Sequence, residues 1–474
     1  MAKSFDVNLP GDKLEQTQID DLLRGSNRAP ALGGWQRISI WGEPYQLGFQ
    51  HGYLLAAEIS AALRSNKFWA YWLTAQHFDF FTAHAMTTYV DTNLIREEYL
   101  QELKGITAGM QAAGYDTSLP EIITYNCFVD LVYNAFGSFK GDIKPSPNLA
   151  RPRQFVGHRC SAFVATGDAT SKGQVVMAHN TWDAFLQGQH FNCIIDMTPA
   201  TGHRLVMQAS PGYIASMTDF VVTGAGLMLT ETTIDGHSGF DIQKPPAACA
   251  ARYAYQYADS IDDWWQLMLE HNNSAYANSW LVADTRSGEI ARGEIGSKFQ
   301  NLERTKNGVF YGQNIPSDMS IRNLETSDPD AWSDVAGSGA RRVRWKKLFH
   351  VESGSINLDT ARRIIADHYD EYLEQDKPGS RTICGHLDED NGMYSAGHGH
   401  PPFYPWGALD AKVADSSSAS NMYFEGRWGR ACGEAFDATR FLAQRPQYDW
   451  LEGLLLDRPH ELWQQLSVPG ARPR

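Results

Sequence analysis

Cys160 stands at the start of a segment whose residue types and spacing allow nucleophilic chemistry. An apolar run follows it, then a polar turn with Gly167 and Gly173, then a second apolar run that ends at Asp183. This pattern predicts a β-hairpin, and because the open ends of a hairpin lie side by side, Cys160 and Asp183 should be neighbours. A thiol becomes an acyl-transfer nucleophile when a base lies beside it. If the chain is cut after Arg159, the freed α-amine of Cys160 can be that base, and the Asp183 carboxylate can orient it.

The elements that must position this hairpin change in character near residue 160. From Pro44 to about Phe136 apolar residues recur at three- and four-residue steps, which predicts helices. After Cys160, short apolar runs between turns predict antiparallel strands. Strands are expected at 190–197, 203–209, 217–223, 226–234, 278–284 and 289–294, and helices at 246–270 and 340–374.

Two regions follow from this change. Residues 1–35 are polar and contain several Gly and Pro residues, so we interpret them as a loosely attached arm. Residues 1–159 are expected to form this arm and a helical pro-segment, and residues 160–474 an α+β catalytic domain. Because meandering strands alternate with helical segments, the sequence is consistent with helices flanking packed sheets.

Several segments resemble one known family in their order along the chain. Cys160-Ser161-Ala162-Phe163 and Asn180-Thr181-Trp182-Asp183 resemble the start of the catalytic chain in N-terminal nucleophile hydrolases of the penicillin acyltransferase, choloylglycine hydrolase and phospholipase B-like group. Residues 226–233, 276–280, 313–316 and 407–413 are similar to phospholipase B-like segments, and 43–52 resembles the pro-segment of the acyltransferase branch. The resemblance implies a four-layer αββα sandwich and an autoproteolytic cysteine hydrolase or acyltransferase.

The resemblance also implies roles for individual residues. Cys160 would be the nucleophile, Asp183 the contact to its amine, Asn278 an oxyanion donor and Arg341 the active-site arginine. Asn180, Trp182, Glu231 and Thr233 are expected to contact substrate, and Arg159, Cys160 and His179 to take part in the cleavage. The alternatives left open are that Asp183 caps a turn, that Asn278 ends one, and that Arg341 is solvated on a helix.

Histidines and cysteines of the C-terminal region form a second set with ligand chemistry. Cys384, His386, His398, His400 and Cys432 carry atoms that suit zinc. No Cys-x-x-Cys or His-Glu-x-x-His pair accompanies them, so we expect neither a metal nor another cofactor. A papain-like pairing of His179 with Cys160 is a further alternative, which a free α-amine makes unnecessary.

Composition limits the partners and the compartment. The formal net charge of −14 opposes binding to nucleic acid or to an anionic membrane surface. The six cysteines are too sparse for a disulfide framework. The N-terminal residues lack the apolar core of a signal peptide, and no stretch approaches the roughly 18 apolar residues of a spanning helix. We therefore expect a cytoplasmic protein without a membrane span.

The predicted reaction is hydrolysis of a small-molecule acyl amide at its C–N bond, through a thioester acyl-enzyme. A phospholipase B-like ester hydrolase or acyltransferase is the first alternative. A catalytically silent binding protein and a metal protein built on the histidine and cysteine set are the others. The sequence leaves a homo-oligomer open.

Overall fold

Two large β-sheets lie face to face in the computed structural model, which describes residues 14–136, 160–237, 239–392 and 401–469. The described strands are β1 (Asn27–Leu32), β2 (Trp35–Gly42), β3 (Cys160–Gly167), β4 (Gly173–Ala184), β5 (Cys193–Pro199), β6 (Leu205–Ala209), β7 (Val221–Thr223), β8 (Leu227–Thr233), β9 (Asn278–Asp284), β10 (Glu289–Ile295), β11 (Gln300–Thr305), β12 (Gly308–Gly312), β13 (Tyr369–Asp370), β14 (Gln375–Asp376), β15 (Trp406–Ala408), β16 (Asp410–Asp415), β17 (Phe424–Trp428) and β18 (Gln464–Leu466).

Helices lie before and between these strands. The described α-helices are α1 (Gln16–Leu23), α2 (Pro44–Leu54), α3 (Ala56–Thr74), α4 (Phe78–Ala85), α5 (Glu97–Ala112), α6 (Leu119–Asn126), α7 (Phe185–Gly188), α8 (Ala247–Tyr257), α9 (Ile261–His271), α10 (Met319–Leu324), α11 (Gly337–Val351), α12 (Leu358–Ile365), α13 (Ser416–Ser420) and α14 (Ala438–Gln444). Shorter π- and 3₁₀-helical segments are Met86–Val90, Val129–Asn134, Pro329–Trp332 and Pro446–Leu451. Among the described residues, no helix is both long enough and apolar enough to cross a bilayer.

The strand order places the Cys160 hairpin inside the fold. The larger sheet runs β1-β2-β5-β6-β7-β8-β9-β10-β11, and the smaller runs β12-β3-β4-β16-β17-β18, with β15 pairing further along β4. Strand β3 packs against β8 and β9 of the larger sheet. Every β3 residue except the last is buried, which explains its nearly continuous apolar sequence.

Helices cover the outer faces of both sheets. Helix α9 packs on β9 and β10, where the Trp264 and Trp280 rings meet at 6.0 Å. On the smaller sheet, α12 packs on β4 and β16, and Trp345 of α11 lies 5.9 Å from the Phe163 ring of β3. The layers therefore follow the order helix, sheet, sheet, helix, which confirms the predicted αββα sandwich of the α+β class.

The helical region before residue 137 contains a close backbone crossing. Helices α2 and α5 meet at Gly48 and Gly52 of one and Gly105 and Gly109 of the other. A Cβ atom on Gly48 would lie 1.8 Å from the Glu102 carbonyl oxygen, and one on Gly105 would lie 2.1 Å from the Tyr45 carbonyl oxygen. These glycines are required because any side chain would push the two helices apart.

The interpretation of residues 1–35 as a loose arm is wrong for residues 27–35. Strands β1 and β2 pair through a turn at Gly33 and Gly34, both of which have positive φ, and β2 continues the larger sheet beside β5. Trp35 is fully buried, with its ring 5.3 Å from that of Trp428. Pro30 fits because β1 is an edge strand, where a missing N–H is tolerated. Residues 1–13 lie outside the described residues.

The helix predicted for residues 340–374 is two shorter elements. Helix α11 ends at Val351, the chain turns at Gly354 with φ +80°, and α12 ends at Ile365. Residues 369–370 are strand β13 rather than helix. The strands expected after Cys160 are confirmed, although the one predicted for 217–223 is limited to Val221–Thr223.

Candidate active site

The predicted hairpin is formed by β3 and β4 and sets the positions of the candidate catalytic residues. Cys160 pairs with Thr181, and Asp183 follows two residues later on β4, opposite Gly407 of β15. Because side chains alternate along a strand, His179, Thr181 and Asp183 share one face of β4. Cys160 lies on the same face as its partner Thr181.

A thiol, an imidazole and a carboxylate meet on this face. The ligand atoms of Cys160, His179 and Glu231 all lie within 4.8 Å of one another, and all three residues are buried. Both ring nitrogens of His179 are buried without a side-chain hydrogen-bond partner among the described residues, and the backbone of Glu231 contacts the ring. Burial, with a smaller effect of the Lys412 charge, holds the pKa of His179 well below its usual value, so the imidazole is neutral at physiological pH.

A buried ion pair lies beside the thiol. Lys412 Nζ is 2.7 Å from Asp410 Oδ1 and donates to Thr181 Oγ1 at 2.8 Å, and both charged side chains are fully buried. Burial lowers the pKa of Lys412, while the negative charges of Asp410 and of an ionised Cys160 oppose this shift. A cation in this place would stabilise a thiolate at Cys160.

Arg341 holds the backbone of Cys160 from the other side of β3. Its guanidinium donates to the Cys160 carbonyl at 2.6 Å, to Ser161 Oγ at 3.1 Å and to Asn314 Oδ1 at 2.6 Å. The Cys160 N–H in turn donates to Asn314 Oδ1 at 3.4 Å. Both backbone polar groups of Cys160 are therefore bound by Arg341 or by its partner Asn314.

The three arginines of α11 have different surroundings. Arg341 is fully buried, and burial lowers its pKa to about 10, which leaves it charged at neutral pH. Arg342 pairs instead with Asp334, and Arg344 pairs with Asp367. The alternative of a solvated Arg341 is therefore wrong.

Asn314 and Lys412 are site residues that the sequence analysis did not single out. Asn314 has φ +75°, a left-handed conformation uncommon outside glycine, and its amide also donates to the Thr233 carbonyl at 2.7 Å. The only signal was the similarity of segments 313–316 and 407–413 to phospholipase B-like proteins.

Asn278, the predicted oxyanion donor, begins β9 opposite Thr233 of β8. Its amide nitrogen is best oriented to donate to Glu231 Oε2 at 2.8 Å and to the Ala277 carbonyl at 2.9 Å. Glu231 also accepts from the Tyr276 hydroxyl at 3.2 Å. The Thr233 hydroxyl is buried and has no hydrogen-bond partner within the described part of the chain. Roles for Asn278, Glu231 and Thr233 toward substrate stay predictions, and Asn278 must turn from Glu231 to reach an oxyanion.

Asn180 and Trp182 lie on the face of β4 opposite to His179. The Asn180 oxygen accepts from the Ser161 N–H at 3.1 Å and from Trp182 Nε1 at 3.0 Å. Its nitrogen donates to the carbonyls of Ile365 and Ile383, each at 3.0 Å. Both the oxygen and the nitrogen of the Asn180 amide are thus hydrogen-bonded within the protein. Substrate contact by Asn180 or Trp182 stays a prediction.

Asp183 is buried, and its Oδ1 accepts from the Ala184 N–H at 2.7 Å. This contact goes to the next residue rather than two residues on, so it does not establish a turn-capping aspartate, and the predicted contact to the Cys160 amine stays a prediction. Arg159, the residue before the predicted cut, lies outside the described residues.

A second group of thiols and imidazoles forms elsewhere in the fold. His368, Cys384, His386 and Cys432 bring their ligand atoms within 4.8 Å of one another. His368 was not among the candidates from the sequence, and His398 and His400 lie outside the described residues. The structure thus brings Cys384, His386 and Cys432 together as expected, and the second histidine of the cluster is His368.

Known proteins resemble this chain over part of its length. Residues 67–311 match the family model described as Phospholipase B. The chain is 24% identical over 309 residues to "Phospholipase B" of Crotalus adamanteus, covering 60% of this chain and 54% of that protein. It is 23% identical over 299 residues to "Phospholipase B-like 1" of Homo sapiens, covering 56% and 50%. The chain spans about half the length of these relatives.

Solved structures that resemble the fold include a penicillin V acylase from Agrobacterium tumefaciens, with a TM-score of 0.29 and 15% identity over 56% of this chain and 82% of that one. A conjugated bile acid hydrolase from Clostridium perfringens has a TM-score of 0.32 and 7% identity over 65% of this chain and 97% of that one. The family assignment rests on the sequence match, which covers more than half of the 474 residues. On that match, the chain belongs to the phospholipase B family.

Proposed function

We propose that this protein is an acyl hydrolase that cuts its own chain after Arg159 and then uses Cys160 as an N-terminal nucleophile. The observation that carries the proposal is that Arg341 and Asn314 form hydrogen bonds with the backbone of Cys160. These bonds fix the position of a single thiol close to His179 and Glu231. Preorganised contacts of this kind favour a reacting group over a buried structural cysteine.

The self-cleavage begins with attack of Cys160 Sγ on the Arg159 carbonyl carbon. The new C–S bond replaces the C–N bond, the thiol proton passes to the departing nitrogen, and water hydrolyses the thioester to give the carboxyl end of the first fragment. The α-amine that remains on Cys160 keeps its nitrogen near Asn314 Oδ1, the present acceptor of the Cys160 N–H.

In turnover, the same thiol attacks a substrate carbonyl, and the α-amine takes and returns the proton. A resting imidazolium–thiolate pair of the papain kind is disfavoured, because His179 is neutral. Lys412 stabilises the thiolate, and Asn278 with a backbone N–H is the candidate donor set for the oxyanion. Water then resolves the thioester.

An acyl amide is the first substrate class, as the Cys160 segment resembles amide-cleaving enzymes. A phospholipid or lysophospholipid ester is the second, and the names of the relatives in Crotalus adamanteus and Homo sapiens favour it. A panel of N-acyl amides and lysophospholipids with the same acyl chain, assayed with wild type and Cys160→Ala, decides between them. Hydrolysis of one class, lost in the variant, identifies the substrate bond.

Intact mass measurement of purified protein tests the proposal directly. We expect fragments 1–159 and 160–474 from wild type and one whole chain from Cys160→Ala. Iodoacetamide should remove the activity of the cut protein by modifying Cys160. An uncut wild-type chain with hydrolase activity, or activity that survives alkylation of Cys160, would contradict the proposal.

A further inference from the structure

Four ligand-bearing side chains converge from three separate segments behind the nucleophile hairpin. His368 follows α12, Cys384 and His386 lie between β14 and β15, and Cys432 follows β17. Cys384 Sγ is 3.5 Å from His386 Nε2, and Cys432 Sγ is 3.6 Å from the same nitrogen. Both cysteines are free thiols.

These distances fit a common tetrahedral centre. Zinc bonds of about 2.0–2.3 Å to nitrogen and sulfur place tetrahedral ligand atoms roughly 3.3–3.8 Å apart. Two thiols and two imidazoles are also the ligand set of closed structural zinc sites. A disulfide between Cys384 and Cys432 would not explain why two imidazoles lie beside the same two sulfur atoms.

The surroundings of the two histidines are those of metal ligands. His386 turns Nε2 toward the sulfurs, while its Nδ1 lies 3.2 Å from Glu389 Oε1, which Arg430 also contacts at 2.6 Å. A carboxylate on the remote nitrogen fixes the tautomer and orientation of a metal-binding imidazole. His368 contacts the Cys432 thiol through its side chain, and its Nε2 is buried without a hydrogen-bond partner in the described parts of the chain. The His368 and His386 rings are perpendicular, with centroids 4.7 Å apart.

We propose that His368, Cys384, His386 and Cys432 bind one Zn²⁺ ion that fixes the segment between Ile383 and His386. All four positions of the metal come from protein, so the site is structural and takes no substrate. This assignment replaces the expectation from the sequence that no metal is bound.

The fixed segment supports the back of the active site. The Ile383 carbonyl accepts from the Asn180 amide, and a Cβ atom on Gly385 would lie 2.4 Å from the Trp182 ring. Trp182 in turn stacks against the Arg341 guanidinium at 4.2 Å. The segment that the zinc fixes is therefore two contacts away from Arg341, which holds the Cys160 carbonyl.

Metal analysis of the purified full-length protein tests the proposal. We expect one zinc per chain in wild type and in Cys160→Ala, and none in Cys432→Ala. Cys193→Ala, which removes another buried thiol outside the cluster, is the matched control and should keep its zinc. Zinc-free wild type after incubation with Zn²⁺ and dialysis, equal zinc in Cys432→Ala, or a Cys384–Cys432 disulfide in the native protein would overturn it.

A spectroscopic measurement avoids the case in which Cys432→Ala fails to fold. Wild type stripped with a chelator and loaded with Co²⁺ should show the intense visible bands of tetrahedral cobalt and a thiolate-to-cobalt charge-transfer band. Zn²⁺ should displace both and raise Tm relative to the stripped protein. Weak octahedral bands without charge transfer would exclude thiolate ligation and overturn the proposal. The readout does not depend on the hydrolase activity, so failure here leaves the proposed function standing.

Discussion

Two clusters of cysteine and histidine lie on opposite sides of strand β4, and their surroundings differ. The first has one thiol, the neutral His179, a carboxylate and the buried Lys412. The second has two thiols and two imidazoles, with carboxylates outside the cluster. A single thiol beside a neutral imidazole and a buried lysine suits a nucleophile, whereas four converging nitrogen and sulfur ligands suit a metal.

The two imidazoles also shift in opposite directions. Burial and Lys412 lower the pKa of His179. Burial acts in the same direction on His386, but its contacts with Cys432 and Glu389 outweigh it and raise the pKa of His386. The same residue type is thus held neutral beside Cys160 and held close to anions in the second cluster.

The largest expected effect separates the two clusters by function. Cys160→Ala should leave the chain uncut and lower kcat by about 10⁴-fold or more, as loss of a nucleophile does in other hydrolases. Zinc content should stay at one per chain, measured on the same sample. A cut Cys160→Ala chain would show that cleavage does not use this thiol.

The oxyanion donor gives the next effect. Asn278→Ala should lower kcat by about 100-fold, because one donor to the tetrahedral intermediate is lost, and should lower Tm modestly, because Glu231 loses a buried hydrogen bond. Asn307→Ala, at the exposed turn between β11 and β12, is the matched control and should keep full activity. Equal kcat values for the two variants would contradict the oxyanion role of Asn278 and favour the alternative that it ends a turn.

Asp183→Asn tests the residue predicted to contact the amine. We expect processing roughly 10-fold slower, since the amide keeps the bond to Ala184 but loses the negative charge that favours protonation of the departing Cys160 nitrogen. Mass spectrometry after timed expression measures the cut fraction. Asp168→Asn at the other end of the hairpin is the control, and equal processing of both variants would contradict the role of Asp183.

The smallest effect concerns acid stability. The folded-state pKa of His179 is lowered, so below about pH 6.5 the unfolded chain binds a proton at this residue and the folded chain does not. The free energy of unfolding therefore decreases as the pH is lowered, by up to about 1.4 kcal/mol per pH unit. In the uncut Cys160→Ala background, His179→Gln should lower that slope between pH 5 and 6.5 by the share of one proton, as measured by urea unfolding, while His51 and His190, whose pKa values burial also lowers, keep their own shares. The exposed His350→Gln should keep the whole slope. Identical slopes for His179→Gln and the parent would contradict a neutral buried His179.

Local patterns were enough to predict the hairpin and most strands after Cys160, because alternation and turn residues are properties of neighbouring positions. Local patterns could not predict the contacts of Arg341 and Asn314 with Cys160. Arg341 lies on α11 and Asn314 in a loop, and the tertiary fold alone brings them to Cys160. The second cluster shows the same limit. Cys432 is 46 residues from His386, and His368 belongs to no motif. Strand β1 was missed because Pro30 indicates a loop unless the strand is known to be at an edge.

Strand β2 pairs in parallel with β5 from Gln36 beside Cys193 to Gly42 beside Pro199. The larger sheet therefore joins residues from both sides of the bond that we expect to be cut. An uncut chain can refold alone, but once the cut protein unfolds its two pieces must find each other, and the yield then depends on concentration. In dilute solution such unfolding is effectively irreversible, so the lifetime of a protein cut after Arg159 would be set by its unfolding rate.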